Sequence, residues 1–136
     1  MLIGATFDTN VYIRGLHFGG PGASLLAAAK DGSFRLDVSE PILNETARVL
    51  REKFAWDGYQ IADSYHRLRS IGNVVVPTEA LSIVKEDPDD DRILECAAAA
   101  KSDYIVSEDK DLLRLGNFRG TPIVDIQDFI RIALNR

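Results

Sequence analysis

Five short apolar runs punctuate this chain, at Leu2–Phe7, Phe34–Val38, Asn73–Val76, Tyr104–Val106 and Pro122–Val124. Runs of this kind suit strands of a parallel sheet covered on both faces, where neither side meets water. Between them lie stretches with helical character: Pro21–Asp31, Pro41–Phe54, Tyr59–Ile71, Pro88–Lys101, Lys110–Leu115 and Ile126–Leu134. Alternation of the two patterns predicts an α/β fold with helices on both sides of the sheet. Two helices fall between the second and third strands, so a helical hairpin is expected there as an excursion, with Trp56 packing in its turn or anchoring a partner. A short helical turn, Val11-Tyr12-Ile13, is expected to start from Asn10 as its N-cap. The segment Gly15–Gly22 carries four glycines and reads as a flexible loop beside the end of the first strand. It is no phosphate-binding P-loop, because no Gly-Lys-Ser/Thr closes it.

Length and composition add bounds to that pattern. A chain of 136 residues with 46% hydrophobic positions is expected to fold as one domain, 1–136, with a proper core. No apolar run approaches the roughly 18 residues of a membrane span, and no signal peptide pattern opens the chain. Cys96 is the only cysteine, so no internal disulfide forms, and its alanine neighbours mark it as a small buried hydrophobe. A reducing, cytoplasmic setting fits these features.

The chemistry-bearing residues are carboxylates. Asp8 follows the first apolar run, at the carboxyl end of a strand, where open α/β sheets bind ligands. The alternative is that Asp8 merely helps to cap the short helix that follows. Glu45 lies on the margin of the apolar face that Ile42, Leu43, Thr46, Val49 and Leu50 define at about 100° per residue. Asp87-Pro88-Asp89-Asp90-Asp91 opens the next long helix with Asp87 as a cap and Pro88 at the first position. Of these acids Asp90 points along the apolar face with Ile93, Leu94 and Ala97, while Asp89 and Asp91 fall towards the edges. A charge at the centre of an apolar face is costly without a partner. Asp90 is therefore the candidate and Asp91 the alternative one register on. Asp109 follows the strand Tyr104–Val106, with the hydroxyl of Ser107 beside it. In a sheet ordered 3-2-1-4-5, strands one and four adjoin at the topological switch point, so Asp8 and Asp109 would share one crevice.

Four carboxylates in one crevice repel one another unless cations are present. An all-oxygen set suits Mg²⁺ or Mn²⁺, whereas zinc would ask for Cys or His. His17 and His66 are not in ligand-like spacing and read as surface or loop residues. Metal-assisted attack of water on a phosphodiester is the chemistry that best uses such a site. The net charge of −5 at first argues against a nucleic-acid partner, but four acids committed to metal would leave the remainder near −1. Arg14, Lys53, Arg92, Lys110 and Arg114 are the cations expected near the crevice, or else on solvated helix faces.

The four motifs together resemble the PIN domain. They are the strand followed by Asp8-Thr9-Asn10; Ser39-Glu40-Pro41-Ile42-Leu43-Asn44-Glu45; Asp87-Pro88-Asp89-Asp90 with Ile93-Leu94 and Ala97; and Ile105-Val106-Ser107-Glu108-Asp109-Lys110-Asp111-Leu112-Leu113. They are most similar to the single-domain prokaryotic branch of toxin components in toxin–antitoxin systems, the VapC-like ribonucleases. That resemblance implies a three-layer α/β/α sandwich around a parallel sheet of about five strands. It also implies Mg²⁺- or Mn²⁺-dependent cleavage of RNA, with the acidic site on Asp8, Glu45, Asp90 and Asp109. Thr9, Asn10 and Ser107 take its small hydroxyl and amide positions. An antitoxin covering the crevice and a homodimer are the partners it implies. Asp91 is an extra acid in the third motif, where relatives often have Asn, and Ser107 replaces a usual Thr.

Other readings share the fold. A phosphoacceptor receiver domain needs an Asp after its third strand and a Lys after its fifth, where this chain has Val76-Pro77 and Asp125-Ile126. A PIN-like module that binds RNA or protein without catalysis, and a PIN nuclease of RNA maturation or decay, remain as alternatives to the toxin.

Overall fold

The computed structural model describes residues 2–84 and 87–134. Its central strand, β1 (Gly4–Phe7), is buried along its whole length and pairs in parallel with β2 (Arg35–Ser39) on one side and β4 (Tyr104–Val106) on the other. Beyond β2 lies β3 (Asn73–Val75), and beyond β4 lies β6 (Thr121–Val124), both parallel. A two-residue strand, β5 (Asn117–Phe118), runs antiparallel to β6 at the edge. The sheet order is β3-β2-β1-β4-β6-β5. The five parallel strands thus follow the expected 3-2-1-4-5 order, and the short edge strand adds a sixth that the apolar pattern had not signalled.

Alternation along β1 sorts the two faces of the sheet. Phe7 points into an aromatic cluster with Tyr12, Phe34 and Phe129. Phe129 belongs to α7 (Ile126–Ala133), which packs beside α2 (Gly20–Lys30). Thr6 points the other way, towards Cys96 of α5 (Pro88–Ala100), which lies across β1, β2 and β3. Helices therefore cover both faces, in the expected three layers. The α5 face is not purely apolar. Thr6 and Ser102 share a hydrogen bond of 2.7 Å, and Ser102 donates to the buried Asp37 at 2.6 Å. Arg35 and Asn73 also donate to Asp37, so this buried charge is fully partnered. The excursion between β2 and β3 consists of α3 (Glu40–Phe54) and α4 (Gly58–Ile71), the latter opened by a reciprocal Asp57–Gln60 capping box.

Two local expectations are corrected. The cap of the first helix, α1 (Thr9–Ile13), is Asp8 rather than Asn10, and Asp8 accepts the Asn10 N–H. The glycine-rich stretch is not a loose loop: Arg14–Phe18 form a π-helical turn, and α2 begins at Gly20. Gly15 and Gly22 bring these two segments into backbone contact, where a Cβ on Gly22 would lie 2.7 Å from the Gly15 nitrogen. Gly19, at φ +85°, reverses the chain between them. These glycines serve close approach and one sharp turn, which composition alone does not distinguish from flexibility.

Candidate active site

The carboxyl ends of β1 and β4 meet where the strand order reverses. The Asp8 N–H completes the ladder by donating to the Val106 carbonyl at 2.9 Å, so Asp8 is held to β4 by its own backbone. Its side chain is 4% exposed. One carboxylate oxygen accepts the Asn10 N–H at 2.6 Å, and the other accepts the Ser107 hydroxyl. The Ser107 Oγ in turn accepts the Asp109 N–H at 2.9 Å. Ser107 thus ties the two acids of the crevice together, a role its wholly buried hydroxyl can fill only from the end of β4.

Asp109 occupies the cap position of α6 (Lys110–Leu115), yet its side chain makes no capping hydrogen bond. Its Oδ2 is shut off from solvent without a partner, and so is Oδ2 of Asp90 in the first turn of α5. Asp90, Asp109 and Asp111 each bring a carboxylate oxygen to within 4.8 Å of the others. Asp111, which the sequence motif contains without a role of its own, joins this group half-buried. The Asp-x-Asp spacing after β4 was the available signal.

A cleft of about 210 Å³ opens over these groups, walled by Asp8, Asn10, Glu45, Asp90 and Asp109, with Thr9 and the cations Arg48 and Lys53 also on its lining. Glu45 reaches it from α3, but its carboxylate is engaged by Arg48, whose Nε lies 3.2 Å from Oε2 and which also pairs with Glu52. Of the cations expected nearby, Lys53 lines the cleft and Arg14 an adjoining groove. Arg92 turns away to Glu95 and the Leu81 carbonyl, and Arg114 pairs with Asp111.

Asp91 does not lie at an edge of α5. It is buried and faces the preceding segment, where one oxygen accepts the N–H groups of Ile83 and Val84 at 2.9 and 3.0 Å. Neighbouring carboxylates on one helix have separated: Asp90 looks into the cleft, and Asp91 fastens the strand-to-helix connection.

Electrostatics follow from this crowding. Burial pushes the Asp8 carboxyl up to about 6, against the lowering influence of the Ser107 and backbone donors. Burial, then the facing Asp109, pushes Asp90 up to about 8, with Asp87 and Asp8 contributing repulsion. Both acids are held above their ordinary range by burial and by the carboxylates that face them. The donors are all carboxylate and hydroxyl oxygens, the set that fits a hard divalent ion.

Comparison with known families agrees with this arrangement. The PIN domain family profile matches residues 5–111, from β1 into α6, and so spans every acid of the cleft. The chain belongs to the PIN domain family. No curated individual protein matches it. PIN domains generally are nucleases that bind divalent metals, and the three-acid cluster here is in keeping with that property. The PIN match also covers Asp91 and Asp111, so membership alone does not choose between neighbouring acids. No described helix is long and apolar enough to cross a membrane.

Proposed function

We propose that this PIN domain protein is an endoribonuclease that hydrolyses RNA phosphodiester bonds with Mg²⁺ or Mn²⁺. The observation that carries the reading is the pair of buried, unpartnered oxygens, Asp90 Oδ2 and Asp109 Oδ2, on residues that line one cleft with Asp8. Asp90, Asp109 and Asp111, whose carboxylate oxygens lie within 4.8 Å of one another, would hold one ion together with Asp8 from the same cleft, and Glu45 would help complete a second position. A bound divalent cation would acidify water and offset charge building on the phosphoryl oxygens.

The remaining work belongs to the chain. The Asn10 N–H and the Ser107 hydroxyl orient the Asp8 carboxylate, so its geometry is set before substrate arrives. Glu45, which lines the same cleft from α3, would orient the attacking water once released from Arg48. Arg48, which bridges Glu45 and Glu52 at the rim, can exchange a carboxylate for a substrate phosphate, and Lys53 offers a second charge.

The reading extends to the toxin of a toxin–antitoxin pair. That step is supported by the order and wording of the four motifs, and an antitoxin segment would cover the acidic cleft. Purified protein incubated with labelled RNA should cleave it with Mn²⁺, fail with EDTA, and fail as Asp90→Asn. Equal cleavage by that variant would sink the proposal. Growth arrest on induction, abolished by the same substitution, tests the toxin role.

A further inference from the structure

Beside the acidic cleft lies a second, larger groove of about 450 Å³, sharing Asn10, Val49 and Lys53 with it. Its character is different: Phe18 and Phe54 supply aromatic surface, Arg14 and Lys53 supply charge. Phe18 is 66% exposed at the end of the π-helical turn, an unusual place for a large ring. It stands edge-on to Phe54, with centroids 5.4 Å apart and planes at 87°. His17 packs against both rings and accepts a hydrogen bond from the Trp56 indole at 3.0 Å, which braces the platform from behind. Arg14 and Lys53 take part in none of the ion pairs among the described residues. The cations are therefore available to a ligand, and the ring is held out to water at the groove.

We infer that this groove is a nucleobase subsite: an unpaired base next to the phosphate in the acidic cleft stacks on Phe18, while Arg14 and Lys53 hold the intervening backbone. The inference rests on the nuclease reading for its substrate class and deepens it, since a base can reach the ring only from a single strand. Stacking tolerates any base because each has a π-face, and interleaved cations track the phosphates. The volume lies in the range of pockets that enclose small ligands. Glu108, also on the lining, repels phosphate but can accept a hydrogen bond from a base amine.

The test uses the full chain carrying Asp90→Asn, so that binding is read without cleavage. The probe is an RNA oligonucleotide containing 2-aminopurine, as a single strand and as a duplex. The single strand should bind at least tenfold tighter, with a change in probe fluorescence. Phe18→Ala should weaken it roughly tenfold to a hundredfold, and Phe18→Tyr should restore it. Arg14→Ala and Lys53→Ala should each reduce the salt dependence of binding by about one phosphate contact. Unchanged single-strand affinity in Phe18→Ala, with its melting temperature unaltered, overturns the subsite; so does equal binding of duplex, or no binding at all. Cleavage by the protein with intact acids is measured separately on the same oligonucleotide. Binding through Phe18 without cleavage removes the nuclease and leaves the subsite. Cleavage indifferent to Phe18 does the reverse.

Discussion

Replacing Asp8 by Asn should make the metal-free protein more stable at neutral and alkaline pH while destroying its metal site. The buried carboxyl titrates near 6 in the fold against 3.8 in an unfolded chain. At about 1.4 kcal/mol per pH unit, ionised Asp8 costs the native state about 3 kcal/mol. The sign follows from proton linkage. Below 3.8 both states hold the proton and the carboxyl contributes nothing. Between 3.8 and about 6 the native state holds more protons, so stability falls as pH rises, and above that range the full penalty applies. Asn carries no charge and escapes the penalty. It keeps an oxygen for the Asn10 N–H but presents an amide to Ser107, whose hydroxyl loses its acceptor at a cost of about 1 kcal/mol. The net effect is a gain of about 2 kcal/mol at pH 8 and a loss of about 1 kcal/mol near pH 3, where both states hold the proton. For a chain of this size that means a melting temperature higher by about 6 °C at pH 8 and lower by about 3 °C at pH 3. Thermal unfolding in EDTA across this pH range reads both numbers. With saturating Mn²⁺ at pH 8 the order should narrow or reverse, because wild type gains more from the ion than a variant missing one ligand. An Asp8→Asn protein destabilised equally at every pH would refute the reasoning, since the carboxyl would then serve only as a helix cap.

Three further outcomes rest on the same geometry. Asp91→Ala should cost about 2 kcal/mol in urea unfolding, because it strands the Ile83 and Val84 amides, yet leave Mn²⁺ affinity per folded molecule within about threefold. Asp90→Asn should do the opposite, losing Mn²⁺ affinity without destabilising the metal-free fold. Uptake of Mn²⁺ should strengthen from pH 6 to pH 8 and release protons, since the ion displaces them from Asp90 near 8 and Asp8 near 6. Calorimetry in two buffers of different ionisation enthalpy measures that release, and pH-independent affinity would contradict it.

The centre of the sheet was legible because β1, β2 and β4 are largely buried on both faces and so appear as apolar runs. The same logic misses Asn117–Phe118, where two residues at an exposed edge carry no period at all. Asp8, Glu45, Asp90 and Asp109 were legible as acids at strand ends or helix margins, and the fold brings them to one cleft. Asp91 was not, because a helical wheel describes a residue relative to its own helix. The segment before α5 packs over that helix and turns an edge into an interior. Asp111 was overlooked for a related reason, since an acid in a first helical turn already has a sufficient local explanation. The Arg48 bridge to Glu45 and Glu52 is simple helical spacing, yet it changes what Glu45 presents to the cleft.

The contact between Gly15 and Gly22 bears on how this protein can diverge. The wall that carries Arg14 and Phe18 is seated main chain against main chain at these two glycines, with the Leu26 side chain also close to Gly15. Substitutions around it can exchange rings and charges while the frame stays where it is. The two glycines themselves have no such latitude, because any side chain there pries the wall from its seat. Descendants of this sequence should accordingly vary their surface chemistry freely at the groove while holding two featureless residues constant.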